Sequence, residues 1–86
     1  MPDPSAYESH LSPQAVAFLI SLPRRKQRLV LDIADKLARN PFCLGDYVLD
    51  EGTGRMVDNL VIGEFIFSFW VDHAAKEVRI TEIIKL

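Results

Sequence analysis

The chain's 86 residues, 9.8 kDa in all, suffice for one hydrophobic core and not for two. Hydrophobic residues at 49% and charged residues at 26% exclude a wholly disordered or collagen-like chain. The net charge of −2 hides a segregation: residues 24–40 carry six cations against Asp32 and Asp35, whereas residues 41–86 carry four cations against eight acids, so the whole chain is no basic nucleic-acid coat although one local basic face is available.

In chain order, residues 6–11 alternate loosely between Pro4 and the Ser12-Pro13 pair and predict a short opening strand. Ser12 before Pro13 is a helix start, because the hydroxyl accepts from a free amide and proline loses nothing at the first helical position. Ala15, Phe18, Leu19 and Leu22 then share a helical face, and Pro23 ends that helix. A second helix follows from Arg24 to Arg39, with an apolar stripe of Leu29, Val30, Ile33 and Leu37, and stops at Asn40-Pro41. The acid-first pairs Asp32 to Lys36 and Asp35 to Arg39 add about 0.2 to 0.5 kcal/mol each.

Residues 41–54 hold Pro41, Gly45, Asp46, Gly52 and Gly54 and predict a loop, with Tyr47-Val48-Leu49 pairing briefly at a sheet edge. Arg55 to Ile62, Glu64 to Asp72 and Glu77 to Leu86 are rich in Val, Ile, Phe and Thr and are joined by short links, which makes them antiparallel neighbours. The resulting fold class is a two-layer α+β domain: an N-terminal strand, a helical hairpin, and a three- to four-stranded antiparallel meander, all in one domain spanning residues 1–86.

No apolar run approaches the roughly 18 to 20 residues that cross a bilayer, and no basic flank precedes an apolar stretch at the N-terminus, so no anchor or export signal is expected. The one cysteine, Cys43, has no internal partner and fits a reducing cytosol.

The phrase Leu37-Ala38-Arg39-Asn40-Pro41, then Val61-Ile62-Gly63-Glu64-Phe65 leading into a hydrophobic strand, then Asp72, a tight turn and Val78-Arg79-Ile80-Thr81-Glu82-Ile83, resembles the RelE/ParE superfamily of toxins over nearly the whole chain. That resemblance implies the growth-inhibiting half of a bacterial type II toxin–antitoxin, or plasmid stabilisation, module, acting in the cytoplasm and silenced by a cognate antitoxin. It implies that the first strand lies beside the last. It implies one of two targets: messenger RNA cut on the ribosome, or DNA gyrase inhibited without cutting.

RNA cleavage by attack of the neighbouring 2′-hydroxyl needs a base, cations to hold the phosphate and an acid at the leaving oxygen. The resemblance places a catalytic arginine directly after the aromatic residue of the turn, where this chain has Ile66. Asn59 and Val61 stand where basic residues are usual, and the chain ends at Lys85-Leu86 without the C-terminal tyrosine segment. The substitutes nearby are Arg55, Arg79 and Lys85.

If Phe65, Phe67, Phe69 and Val71 face the helices, period two turns Ile66, Ser68 and Trp70 to the other side, where the family keeps its active site. Ile66, Trp70 and Ile83 would then form an apolar patch for a protein contact, unless a loop or the C-terminal segment folds over it and makes Trp70 core. The cluster Arg24, Arg25, Lys26 and Arg28 opposes the dipole of its own helix, so either it is a solvated face or it meets phosphate or an acidic antitoxin segment.

His10, His73 and Cys43 have no metal-ligand spacing and read as structural or surface residues. Asp72-His73 reads as a turn start, and Gly52-Thr53-Gly54 is no phosphate loop because no helix follows it. No cofactor or metal is expected. Three functions compete: a toxin that acts by binding, a ribosome-dependent mRNA endonuclease using the substitute cations, and a degenerate non-toxic homodimeric scaffold with Trp70 at the contact.

Overall fold

A computed structural model describes residues 6–42, 45–50, 52 and 54–86. Cys43 and Thr53, and with them the expectations about the lone thiol and part of the Gly-Thr-Gly phrase, lie outside the described residues. The elements run β1 (Glu8–Leu11), α1 (Pro13–Ile20), α2 (Arg24–Arg39), β2 (Tyr47–Asp50), β3 (Met56–Ile62), β4 (Phe65–Asp72) and β5 (Glu77–Lys85). They build one five-stranded sheet in the order β1-β5-β4-β3-β2, with α1 and α2 packed over β5 and β1.

The helix starts and stops where the sequence places them. Ser12 caps α1 by accepting from the Ala15 amide at 3.1 Å, and Pro13 opens the first turn. Pro23 caps α2, whose buried stripe is Val30, Ile33, Ala34, Leu37 and Ala38. Leu29, expected in that stripe, is 47% exposed instead, because it sits at its solvent edge.

The meander is as expected, with β2 added at its edge through Tyr47↔Asn59 to Asp50↔Met56. Gly63 turns β3 into β4 at φ +60°, a conformation that a Cβ disfavours by roughly 1 kcal/mol or more. Gly45 brings the chain onto β3 so closely that a Cβ there would lie 2.7 Å from the Asn59 nitrogen. Asp46 continues the attachment, donating its amide to the Asn59 carbonyl and accepting from the Val61 amide, each at 2.7 Å. Asp72 starts the β4–β5 turn as expected, its carboxylate accepting from the Ala75 amide at 3.0 Å.

β1 lies parallel to β5, from Glu8↔Glu77 to Leu11↔Ile80. Two hydrophobic patterns separated by most of the chain meet there, which no local signal fixes. The core then forms between helices and sheet from Ala15, Val30, Ile33, Ala34 and Leu37 against Phe65, Phe67, Phe69, Val78, Ile80 and Ile83.

Ile83 corrects the sequence reading. With Val78 and Ile80 inward, strict alternation sends Ile83 outward, yet it is 2% exposed and pairs with Phe67 on the helix side. Phe69 pairs with Ile80 and Ser68 with Glu82, so Thr81 is an extra residue, a bulge that resets the alternation. Ile84 is the one that turns outward, opposite Ile66 and 43% exposed.

Candidate functional site

The face of the sheet away from the helices is the candidate site. β4 sends Ile66, Ser68 and Trp70 there, as period two requires, and all three are half-buried. Their cross-strand partners divide the face in two.

The first half is apolar: Ile66 lies between Val61 on β3 and Ile84 on β5, and both neighbours are exposed. The second half is polar and aromatic. The Arg55 guanidinium lies 4.0 Å over the centroid of the Trp70 ring, and that of Arg79 lies 5.7 Å from it. Arg79 donates to the Glu77 carboxylate at 2.7 Å, and the other oxygen of Glu77 meets His10 Nε2 at 2.7 Å. His10, Ser12, Arg55, Trp70, Arg79 and Thr81 together line a depression of about 320 Å³.

Trp70 is therefore neither bare patch nor ordinary core. The lid over it is a cation from the link into β3, and stacking of this kind contributes about 0.5 to 1 kcal/mol at a partly exposed site. The predicted continuous patch of Ile66 and Trp70 is interrupted by Ser68, and Ile83 has no part in it.

Between the halves runs a chain of hydrogen bonds. Asn59 Nδ2 donates to the Val57 carbonyl at 3.1 Å, Ser68 Oγ to Asn59 Oδ1 at 2.6 Å, Thr81 Oγ1 to the Ser68 carbonyl at 3.3 Å and Ser12 Oγ to the Thr81 carbonyl at 2.6 Å. These hydroxyls tie β3, β4, β5 and the α1 cap to one another. Each hydroxyl has its hydrogen donated, so none is poised as a nucleophile.

The three substitute cations do not assemble. Arg55 and Arg79 meet at Trp70, but Lys85 pairs with Phe65 at the far end of β5, on the helix side. Lys85 instead contributes to the field at Glu64, whose carboxyl is held below its usual range chiefly by the hydrogen bond from Lys26.

Lys26 in turn is separated from its basic neighbours: its Nζ reaches Glu64 at 2.5 Å and ties the start of α2 to the β3–β4 turn. Arg24, Arg25 and Arg28 stand together on the surface around a depression of about 300 Å³.

The residue that sequence reasoning missed is His10. It comes beside Arg79 only through the parallel β1–β5 pairing, and its register partner is Arg79 itself. The sole local hint was its outward parity in a strand bounded by Pro4 and Ser12. His73 lies at the surface, its Nδ1 2.8 Å from the Tyr7 hydroxyl and its ring stacked on Phe42 at 5.2 Å. Among the described residues no group of His, Cys, Asp and Glu is arranged to hold a metal, and no helix is long and apolar enough to cross a membrane.

No family model matches the sequence, and no curated protein matches it. Solved structures do match by shape. One is the toxin–antitoxin complex RelBE2 from Mycobacterium tuberculosis, with TM-score 0.74 and 22% identity over 94% of this chain and 99% of the other. Another is the archaeal RelE–RelB complex from Pyrococcus horikoshii OT3, with TM-score 0.69 and 25% identity over 93% and 94%. The adjacency of first and last strand and the overall order are thus those that the resemblance implied. By architecture, from β1 to β5, the chain has the RelE toxin fold.

Proposed function

We propose that the protein is the toxin half of a two-component toxin–antitoxin module, silenced in the cytoplasm by a small cognate antitoxin, and that its open sheet face grips a target protein rather than cutting RNA. The first part is supported by the fold it shares with chains solved in RelE–RelB and RelBE2 complexes.

The second part is carried by one observation: Ile66 occupies the open-face position directly after the turn aromatic, flanked by Val61 and Ile84. An isoleucine supplies no charge to a pentavalent phosphate, and each missing donor of that kind withholds about 3 to 4 kcal/mol from the transition state. The nearest guanidiniums are already engaged, Arg79 by Glu77 and Arg55 by the Trp70 ring. An apolar half beside an aromatic anchor is the composition of a protein contact. DNA gyrase is a target of this kind.

One observation favours a second reading, ribosome-dependent cleavage of mRNA. His10, Arg55 and Arg79 open on a single depression, and an imidazole is the side chain most often used as a general base.

Inducible expression in a bacterial host, alone and with the protein encoded next to it, tests both. The account expects growth arrest relieved by the neighbour, with full-length transcripts and impaired plasmid supercoiling. Transcripts severed within codons would establish the second reading, and absence of arrest would leave only a non-toxic scaffold.

A further inference from the structure

The register of β2 to β5 draws a row of polar side chains straight across the open face: Tyr47 opposite Asn59, Asn59 opposite Ser68, and Ser68 opposite Glu82. Two residues along the strands in one direction stand Val61, Ile66 and Ile84, and two residues along in the other stand Leu49, Val57 and Trp70. Asn59, 4% exposed, and Ser68 line a depression of about 290 Å³ together with Gln14, Asp50, Thr81 and Glu82.

The hydroxyl hydrogens around this depression are already committed. Ser68 Oγ donates to Asn59 Oδ1 and Thr81 Oγ1 to the Ser68 carbonyl, so both hydroxyls have only lone pairs left to offer. The Glu82 carboxylate is exposed and makes no ion pair or hydrogen bond with another described residue. Asp50 adds a second carboxylate, one oxygen of which accepts from the Gly52 amide at 2.8 Å. Among the described residues no lysine, arginine or histidine lines the depression.

Acceptors without a facing cation select a ligand that brings donors and positive charge. A phosphate or carboxylate would meet like charge and lone pairs. A guanidinium has five donors and no acceptor, and its planar fork matches a carboxylate two bonds at a time.

We infer that this depression seats an arginine side chain of the protein that the open face grips, with Glu82 as its carboxylate partner and the Ser68 and Thr81 oxygens as further acceptors. The inference rests on the gripping reading, which supplies the partner, and it names the side chain that the partner presents.

The flanks of the polar row select a protein over a free cation. Val61 and Ile84 are exposed on one side and Leu49 on the other. A polyamine would leave them bare. A chain segment with an arginine between apolar residues covers both flanks and excludes water from the ion pair, where a charge-assisted bond gains most. A second copy could offer Arg24, Arg25 or Arg28, but that contact joins two different surfaces and does not close on itself.

The test is an NMR titration of the full chain, isotopically labelled, with a synthetic peptide in which one arginine is flanked by leucines. The same peptide with citrulline for arginine, spermidine and a single-stranded RNA serve as comparison probes. The expected result is amide shifts confined to residues 47–50, 57–61, 66–70 and 80–84. Citrulline, which keeps the shape and removes the charge, weakens binding by about ten-fold, and Glu82→Gln does the same to the arginine peptide. Glu82→Gln keeps the parent melting profile, since its side chain is exposed and unpaired among the described residues.

The inference is overturned if the citrulline peptide binds as tightly, if Glu82→Gln leaves the affinity unchanged, or if spermidine or RNA shifts the same resonances as strongly. It is overturned as well if those resonances move with protein concentration alone, or if nothing binds. Growth arrest and transcript integrity are read separately: arrest with intact transcripts keeps the gripping reading even where the peptide fails, and severed transcripts strike that reading whatever the peptide does.

Discussion

Thr81 shows how one residue redirects a sheet face. Because it bulges, Ile80 and Ile83 both reach the core although three positions separate them, and Ile84 inherits the outward place. Ile83→Ala should therefore cost about 2 to 5 kcal/mol, as deletion of a buried aliphatic group does, whereas Ile84→Ala should stay within about 1 kcal/mol; urea unfolding of the two variants measures the difference. Equal losses would contradict the bulge at Thr81.

Ser12 has a double duty, accepting from the Ala15 amide and donating to the carbonyl of the bulged Thr81. Ser12→Ala should lower stability by about 1 to 2 kcal/mol, more than a cap with no second bond. Trp70 is the chain's only tryptophan, so its fluorescence reports on the open face directly. Arg55→Ala should shift and brighten or quench that emission while costing no more than about 1 kcal/mol of stability. An unchanged spectrum would remove Arg55 from the ring.

At the scale of elements, both helices and all three long strands were legible in the sequence, because each carries its own periodicity and its own punctuation: Ser12-Pro13, Pro23, Asn40-Pro41, Gly63. The position of β1 was not legible from its residues, since a four-residue strand has too little pattern to choose its neighbour, and the resemblance supplied it. His10 was invisible as a site residue for that reason. Ile83 was misplaced because a bulge leaves no mark in hydrophobic alternation, and Leu29 because an apolar side chain at the border of a stripe is free to fall either way.

Lys26 looked like one of four equivalent cations, and only the meeting of α2 with the β3–β4 turn distinguishes it. That ion pair has a pH signature. The Glu64 carboxyl is held below its ordinary value of 4.5, chiefly by the Lys26 hydrogen bond, so its contribution is present above that pH and is lost as the pH falls through the folded-state value. The stability difference between the parent and Glu64→Gln should be visible near neutrality and should vanish once the pH has fallen below the folded-state value. A difference that grew on acidification would contradict this pairing.

For the whole molecule, one layer of helices covers one face of the sheet; on the other face Val57 and Asn59 are buried while Val61 and Ile84 stay exposed, so the two sides of the same strands are unequally covered. Phe65, Phe67 and Phe69 hold the structure; Ile66, Ser68 and Trp70, interleaved with them, face outward. The expectation that greasy side chains replace cations holds for the half around Ile66. It fails for the half around Trp70, where Arg55 and Arg79 stand, and the claim of gripping over cutting depends on both guanidiniums being held in place by the protein itself.

The growth of cells expressing single variants tests that claim most directly. Ile66→Asp should relieve arrest by spoiling the apolar contact, while His10→Ala should leave arrest intact. Relief by His10→Ala or Arg79→Ala together with toxicity that survives Ile66→Asp would contradict it, for then the imidazole and the arginine would be doing chemistry that an isoleucine has no part in.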